Sequence, residues 1–150
     1  MSLPLTLLPL DEHVAVAGQL QPGDMMAIAA AGYVAVVNNR PDGEAMFGQP
    51  RTADLQKAAE AAGLVFLDLP FSGPRAAPEQ VRAFADLLAA RPGRVVAFCK
   101  SGMRSALLWG SASIAAGRSL DEVLAMAMRA GQNLEPVGEA MVALARSARS

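Results

Sequence analysis

The sequence is poor in the residue types that mark several common protein classes. It has one cysteine and one histidine among 150 residues, so no internal disulfide is possible. A single thiol is typical of a reducing cytoplasm, which is the location we predict. Charged residues make up only 18% of the chain, and 13 basic against 14 acidic residues give a net charge of −1. Because no basic run is present, we expect no nucleic-acid partner.

Long apolar runs are also missing. The longest weakly polar stretch, residues 106–117, is too short to span a bilayer and contains two serines. The first 13 residues are apolar, but they include two prolines and no basic segment, which predicts that they are not a signal peptide. The sequence therefore predicts no membrane partner, and it leaves the oligomeric state open.

What is present is the composition of a globular protein, with 53% apolar residues. A chain of this length fits one domain with a real core. We therefore expect a single domain over residues 1–150, with a flexible segment at residues 1–10.

Strand-like and helix-like segments alternate along the chain. The β-prone runs lie at residues 13–18, 33–37, 64–69 and 94–98. Helical patterns lie at residues 22–31, 53–62, 78–91, from 104 onward, 120–130 and 134–145. Alternation of this kind implies right-handed crossovers. The sequence therefore predicts a three-layer α/β/α fold with a mostly parallel central sheet and extra helices at the C-terminal end.

Cys99 directly follows the last predicted strand and opens a turn into a helix. Ligands of open α/β sheets bind beyond the carboxyl ends of the strands. Free amide groups and the positive end of the helix dipole meet at a helix N-terminus, and both favour a thiolate, which is the nucleophilic form of cysteine. We therefore predict that Cys99 is the catalytic nucleophile.

The residues after Cys99 are suited to binding an oxyanion against the sulfur. Gly102 lets the backbone turn its amides inward, and Arg104 can bind two oxygens through its planar fork. Ser105 is predicted to donate to the sulfur and to stabilise it as a leaving group. The predicted anion-binding residues are Lys100, Ser101, Gly102, Met103 and Arg104.

A second candidate region is the polar connection from residue 38 to residue 50, which is long for a loop between a strand and a helix. Asn38, Arg40 and Asp42 make it a candidate substrate loop. An ion pair between Arg40 and Asp42 that merely fixes the loop is an equally good interpretation. Thr52 is predicted to cap the helix that follows.

The segment Phe98–Ser105 resembles the active loops of cysteine phosphatases and of rhodaneses. Together with Val16–Gln19, Asn38–Glu44 and Gly48–Pro50, it resembles the phosphatase-like domain family of beta-lactamase hydrolase-like proteins. This resemblance implies a dual-specificity-phosphatase-like fold, a phosphorylated or other small anionic substrate, and a phosphocysteine intermediate on Cys99.

Three features differ from ordinary tyrosine phosphatases. Arg104 lies five residues after the cysteine instead of six, a spacing that resembles rhodaneses. Phe98 stands where those enzymes usually have histidine. The loop at residues 70–75, where they carry an acidic residue as general acid, has no carboxylate. Asp68 just before this loop is our candidate acid, with a role at the strand end as the alternative, and Asp42 is the other candidate.

The residues thus leave three hypotheses open. The first is a cysteine-dependent phosphatase, the second is a sulfurtransferase that carries a persulfide on Cys99, and the third is an anion-binding or thiol-redox sensor. His13 has no second histidine or cysteine near it in the sequence, so we predict no metal site and no cofactor.

Overall fold

Five strands form one sheet in the computed structural model, which describes residues 5–149. They are β1 (Leu8–Pro9), β2 (Val14–Ala17), β3 (Tyr33–Asn38), β4 (Val65–Asp68) and β5 (Arg94–Phe98). Their order across the sheet is β1-β2-β5-β3-β4. All neighbouring strands are parallel except β1, which pairs with β2 in antiparallel orientation.

The sequence analysis did not predict β1, which falls in the segment expected to be flexible. Leu8 pairs with Val16 and Pro9 with Ala15, and Leu10 is buried. Only part of the expected flexible segment can be compared, because residues 1–4 lie outside the described residues.

Within residues 5–149, six α-helices cover the two faces of the sheet. They are α1 (Met25–Ala30), α2 (Thr52–Ala61), α3 (Pro78–Ala90), α4 (Met103–Ala115), α5 (Leu120–Arg129) and α6 (Gly138–Arg149). Short 3₁₀ turns at Pro22–Asp24 and Glu135–Val137 precede α1 and α6. The predicted three-layer α/β/α fold with a mostly parallel sheet is confirmed. No helix within residues 5–149 combines the length and apolar character needed to cross a bilayer.

Alternation along the strands divides the core into two clusters. Val95 and Ala97 of β5 contribute to the cluster that contains α3, α4, α5 and α6. Val96 and Phe98 point to the opposite face, where α1 and α2 lie. Because successive strand residues face opposite sides and both sides are covered, the strands are continuously apolar, as the sequence indicated.

Several predicted helix starts shift in the structure. Helix α1 was expected from residue 22, but it begins at Met25 after the 3₁₀ turn Pro22–Asp24. The last helix was expected at residues 134–145, but it begins at Gly138 because Pro136 lies in the preceding 3₁₀ turn. Helix α2 begins at Thr52, so Thr52 is its first residue and not its cap. The carboxylate of Asp42, ten residues earlier in the chain, accepts a hydrogen bond from the Thr52 amide.

Helix α4 follows directly from the segment at the end of β5 and is the most buried helix. Nine of its 13 residues are buried, so it cannot shift without disrupting the core. It packs on α3, α5 and α6 and on strands β2 and β5. This packing fixes the position of its N-terminus beside the carboxyl end of the central strand.

Gly110 permits the close approach of α4 to α5 and α6. A Cβ atom at this position would lie 2.6 Å from Met141 Sδ and 3.0 Å from Val123 Cγ1.

In Gly110→Ala we expect overpacking of about 1–3 kcal/mol to exceed the helix-propensity gain of about 1 kcal/mol. The midpoint of thermal unfolding should therefore fall. Gly23→Ala is the control, since no atom lies within 4 Å of its Cβ position; an equal effect of the two changes would contradict this account.

Candidate active site

Cys99 lies at the carboxyl end of β5, between the ends of β2 and β3. Its amide donates a hydrogen bond to the carbonyl oxygen of Ala17 at 3.3 Å, which continues the pairing of β5 with β2. The residue is 1% exposed, so it lies at the base of the segment that follows it. We call this segment, residues 99–105, the cysteine loop.

The cysteine loop folds back on the sulfur. The amide of Gly102 donates a hydrogen bond to Cys99 Sγ at 3.1 Å. Gly102 has a φ of +94°, and a Cβ atom there would lie 2.8 Å from Gln132 Nε2. Only glycine meets both requirements without strain. The amide of Gly102 itself thus points at the sulfur.

Two residues that the sequence analysis missed hold the cysteine loop from outside. Gln132, after α5, donates from Nε2 to the carbonyl oxygen of Ser101 at 3.2 Å. Gly18, after β2, lies so close that its Cβ position is 3.0 Å from the carbonyl oxygen of Lys100. Because these two carbonyls are directed toward the surrounding protein, the loop amides are free to face inward. The side chains of Lys100, Ser101 and Met103 are not buried.

Arg104 is the loop residue that carries charge into the site. Its Nη1 and Nη2 atoms bind the two carboxylate oxygens of Glu44 at 2.7 and 2.9 Å. Nη1 also donates to the carbonyl oxygen of Phe71 at 3.1 Å. The Glu44 carboxylate, and to a smaller extent Cys99, raise the pKa of Arg104. The guanidinium is thus held by the Glu44 carboxylate and the Phe71 carbonyl.

Glu44 was not predicted as a site residue. Besides Arg104, it binds Arg40 Nε at 2.9 Å, and Arg40 Nη1 in turn donates to Gln19 Oε1 at 3.0 Å. The bond from Arg104, with the further charge of Arg40, lowers the pKa of Glu44 from 4.5 to about 2 despite opposing desolvation. Glu44 is therefore ionised at neutral pH and cannot donate a proton there.

Ser105 is placed differently from the prediction. Its hydroxyl donates to Asn39 Oδ1 at 2.7 Å, and Asn39 Nδ2 donates to the carbonyl oxygen of Leu69 at 3.0 Å. Since a hydroxyl has one proton, Ser105 does not donate to Cys99 in this arrangement. It instead connects α4 with the ends of β3 and β4.

Asp68 is not brought to the sulfur. It ends β4, and β3 lies between β4 and β5, so the backbones of Asp68 and Cys99 are separated by about 10 Å. Its Oδ1 accepts a hydrogen bond from Asn38 Nδ2 at 2.8 Å, on the face covered by α2. The geometry agrees with the alternative role at the strand end and does not support Asp68 as the acid.

Asn38 and Asp42 shape the connection between β3 and α2, residues 39–51, which we call the β3–α2 segment. Asn38 binds the backbone amide and carbonyl of Arg40 at 2.9 Å each. Asp42 Oδ1 accepts from the amide and hydroxyl of Thr52, both at 2.8 Å. Asp42 therefore caps α2, and Arg40 pairs with Glu44 instead of Asp42.

The described part of the chain contains no group of three or more candidate metal ligands.

The Glu44 ion pairs predict a specific pH dependence of stability. Because the pKa of Glu44 lies below its ordinary value of 4.5, the pairs stabilise the fold above about pH 4.5. This contribution is lost as the pH falls toward 2. The stability difference between wild type and Glu44→Gln should therefore shrink over that range in urea unfolding experiments. Screening at this 28% exposed side chain limits its size. The exposed Glu12 supplies the control Glu12→Gln. A difference that does not change with pH would contradict this assignment.

Comparison with known sequences identifies relatives across most of the chain. Residues 7–117 match the family model for the phosphatase-like domain of beta-lactamase hydrolase-like proteins. A beta-lactamase hydrolase-like protein of Xylella fastidiosa is 32% identical over 145 residues, which cover 96% of this chain and 33% of that protein. The chain spans about a quarter to a third of the length of the curated relatives it matches.

Solved structures agree with this relationship. A candidate phosphatase from Neisseria meningitidis has a TM-score of 0.79 and 34% identity, with 91% of this chain and 96% of that chain covered. Kinase-associated phosphatase has a TM-score of 0.77 over 100% of this chain and 98% of that chain, and at 10% identity it shows the fold alone. The fold is thus that of the dual-specificity-phosphatase-like enzymes, and the chain belongs to the phosphatase-like domain family of beta-lactamase hydrolase-like proteins.

Proposed function

We propose that this protein is a cysteine-dependent phosphatase that hydrolyses phosphomonoesters through a phosphocysteine on Cys99. The observation that carries the proposal is the hydrogen bond from the Gly102 amide to Cys99 Sγ at 3.1 Å. An amide donor stabilises the anionic sulfur, both before attack and after release. The family relationship, described above, supports phosphoryl groups as the substrate.

In the first step, Cys99 Sγ attacks the phosphorus atom while the bond from phosphorus to the alcohol oxygen breaks. The nonbridging oxygens are held by the amides of the cysteine loop and by Arg104. Glu44 binds Arg104 through Nη1 and Nη2, so the remaining edge of the guanidinium is left for the phosphoryl group. Fixed donors of this kind stabilise the charge of the transition state without reorganisation.

In the second step, water attacks the phosphocysteine, the bond between sulfur and phosphorus breaks, and inorganic phosphate leaves. The sulfur is the leaving group, so the same amide that stabilises the nucleophile also favours this step. Ser105 takes no direct part, because its proton is donated to Asn39.

A sulfurtransferase is the second candidate function. The five-residue spacing from Cys99 to Arg104 favours it, since a shorter loop resembles rhodaneses. Cys99 Sγ would attack the outer sulfur of thiosulfate, the S–S bond would break and sulfite would leave, so that Cys99 carries a persulfide. Transfer of the outer sulfur to cyanide would then release thiocyanate and restore the thiolate.

Replacement of Cys99 separates these functions. In Cys99→Ser we expect release of phosphate from para-nitrophenyl phosphate to fall at least about 10³-fold, because the nucleophile is lost. Circular dichroism should show an unchanged fold, since the two side chains are nearly the same size. If the wild type forms thiocyanate from thiosulfate and cyanide but releases no phosphate, the result would favour sulfur transfer. Native protein that iodoacetamide cannot alkylate would contradict a nucleophilic role for Cys99.

The state of the carboxylates predicts a strong dependence on the leaving group. Glu44 is ionised, Asp42 caps α2 and Asp68 binds Asn38, so none is placed to protonate the departing oxygen. General acid catalysis is typically worth about 10²–10⁴-fold, and alkyl phosphates should be slower than aryl phosphates by at least this factor. Within a series of para-substituted phenyl phosphates, kcat/KM should rise with the acidity of the phenol. Rates that are independent of that acidity would contradict this prediction and would indicate a general acid other than these three carboxylates.

A further inference from the structure

A cavity of about 940 Å³ lies beside the cysteine loop. It is bounded by Leu5 and Thr6, by the end of β2 and the connection that follows it, residues 17–24, and by the β3–α2 segment. We call it the side cavity. Its volume lies near the upper end of the range for small-molecule sites, about 300–1,000 Å³. It is therefore far larger than a phosphate ion requires. Residues that line it include Leu20, Pro22, Arg40, Phe47 and Gln49.

Two residues that line the side cavity contact the cysteine loop or a residue bound to it. Gly18, one of its lining residues, packs against the carbonyl of Lys100. Arg40, another lining residue, binds Glu44, which binds Arg104. The side cavity and the cysteine loop thus lie at the same edge of the sheet, with Gly18 and the Arg40–Glu44–Arg104 chain of contacts between them, and we take the side cavity as the space for the organic part of a phosphomonoester bound in the loop.

Among the described residues, the side cavity offers no free cation. Its one cation, Arg40, is 7% exposed and is bound by Glu44 and Gln19. Its one carboxylate, Asp24, accepts a hydrogen bond from the amide of Gln21 at 2.7 Å. A second phosphate group would find no free cation, and its desolvation would be uncompensated. An uncharged group meets no such penalty.

Phe47 supplies a large apolar surface at the edge of the side cavity. Its side chain is 85% exposed, and so is that of Met46, at 88%. The tip that carries them is braced by Gln49, which accepts from the amide of Ala45 at 3.0 Å and donates to the carbonyl of Pro41 at 2.7 Å. Phe47 lines the side cavity, whereas Met46 is not among its lining residues. The braced loop thus presents an aromatic ring to any occupant.

We propose that the side cavity binds the organic part of the substrate, and that the substrate is a phosphomonoester with one anionic group and a bulky, uncharged, partly apolar remainder. Phe47 is then a specificity-determining residue that contacts this remainder. The proposal rests on the proposed phosphatase function and adds the class of its substrate.

The test compares phenyl phosphate with naphthyl phosphate, whose second ring would enter the side cavity. Burial of that ring should raise kcat/KM about tenfold over phenyl phosphate. In Phe47→Ala this ratio should fall close to one, and in the matched control Met46→Ala it should stay about tenfold. A naphthyl phosphate that carries a second phosphate group should lose the advantage. Both exposed positions tolerate alanine, so folding is not at issue.

The preference for the larger ring can also be measured without turnover, as the protection of Cys99 from alkylation. Phenylphosphonate and naphthylphosphonate should protect Cys99 from iodoacetamide with the same preference for the larger ring, and with the same dependence on Phe47. Protection with this preference in a protein that hydrolyses neither ester would overturn the phosphatase function and leave the side cavity as a ligand site. Equal protection by both phosphonates, or an unchanged ratio in Phe47→Ala, would overturn the side-cavity proposal itself.

Discussion

The hydrogen bond from the Gly102 amide to Cys99 Sγ is the contact on which the site depends, because it fixes the sulfur against the start of α4. The loop can make this bond only where β5 ends and α4 begins at a set distance and angle. The core sets both, since β5 is the central strand between β2 and β3 and α4 is buried along most of its length. The packed core therefore fixes the positions of the sulfur and its amide donor.

Carboxylates at the carboxyl edge of the sheet are arranged so that positive charge remains at the sulfur. Asp42 neutralises the first turn of α2, and Asp68 accepts from Asn38. Glu44 lies between two guanidiniums and takes the far end of Arg104. A single carboxylate between two cations leaves a net positive charge, which favours an oxyanion beside the cysteine. The same contacts engage Glu44, Asp42 and Asp68 as acceptors, which is the basis of the proposed preference for good leaving groups.

Sequence patterns predicted what depends on local order along the chain. The strands β2 to β5, their parallel arrangement and the turn at Gly102 follow from apolar runs, glycine and proline positions, and the chemistry of helix ends. Glu44 could not be found this way, because it meets Arg104 across 60 residues and only the fold brings the two together. Ser105 was assigned from the chemistry of its hydroxyl and Asp68 by comparison with phosphatases. Their hydrogen-bond partners Asn39 and Asn38, at the end of β3, are far from them in the sequence and could not be predicted.

The cysteine loop and the β3–α2 segment differ in how many contacts hold them in place. The cysteine loop is held by buried elements, and one of its supports, Gln132, lies beyond residues 7–117, the region that matches the family model. The C-terminal helices therefore belong to the site's framework, although they carry no catalytic group. By contrast, the tip of the β3–α2 segment is supported chiefly by Gln49 and exposes Phe47. Substitutions at that tip disturb no core contact, so under the side-cavity proposal the choice of substrate would change there while the amides around the sulfur keep their geometry.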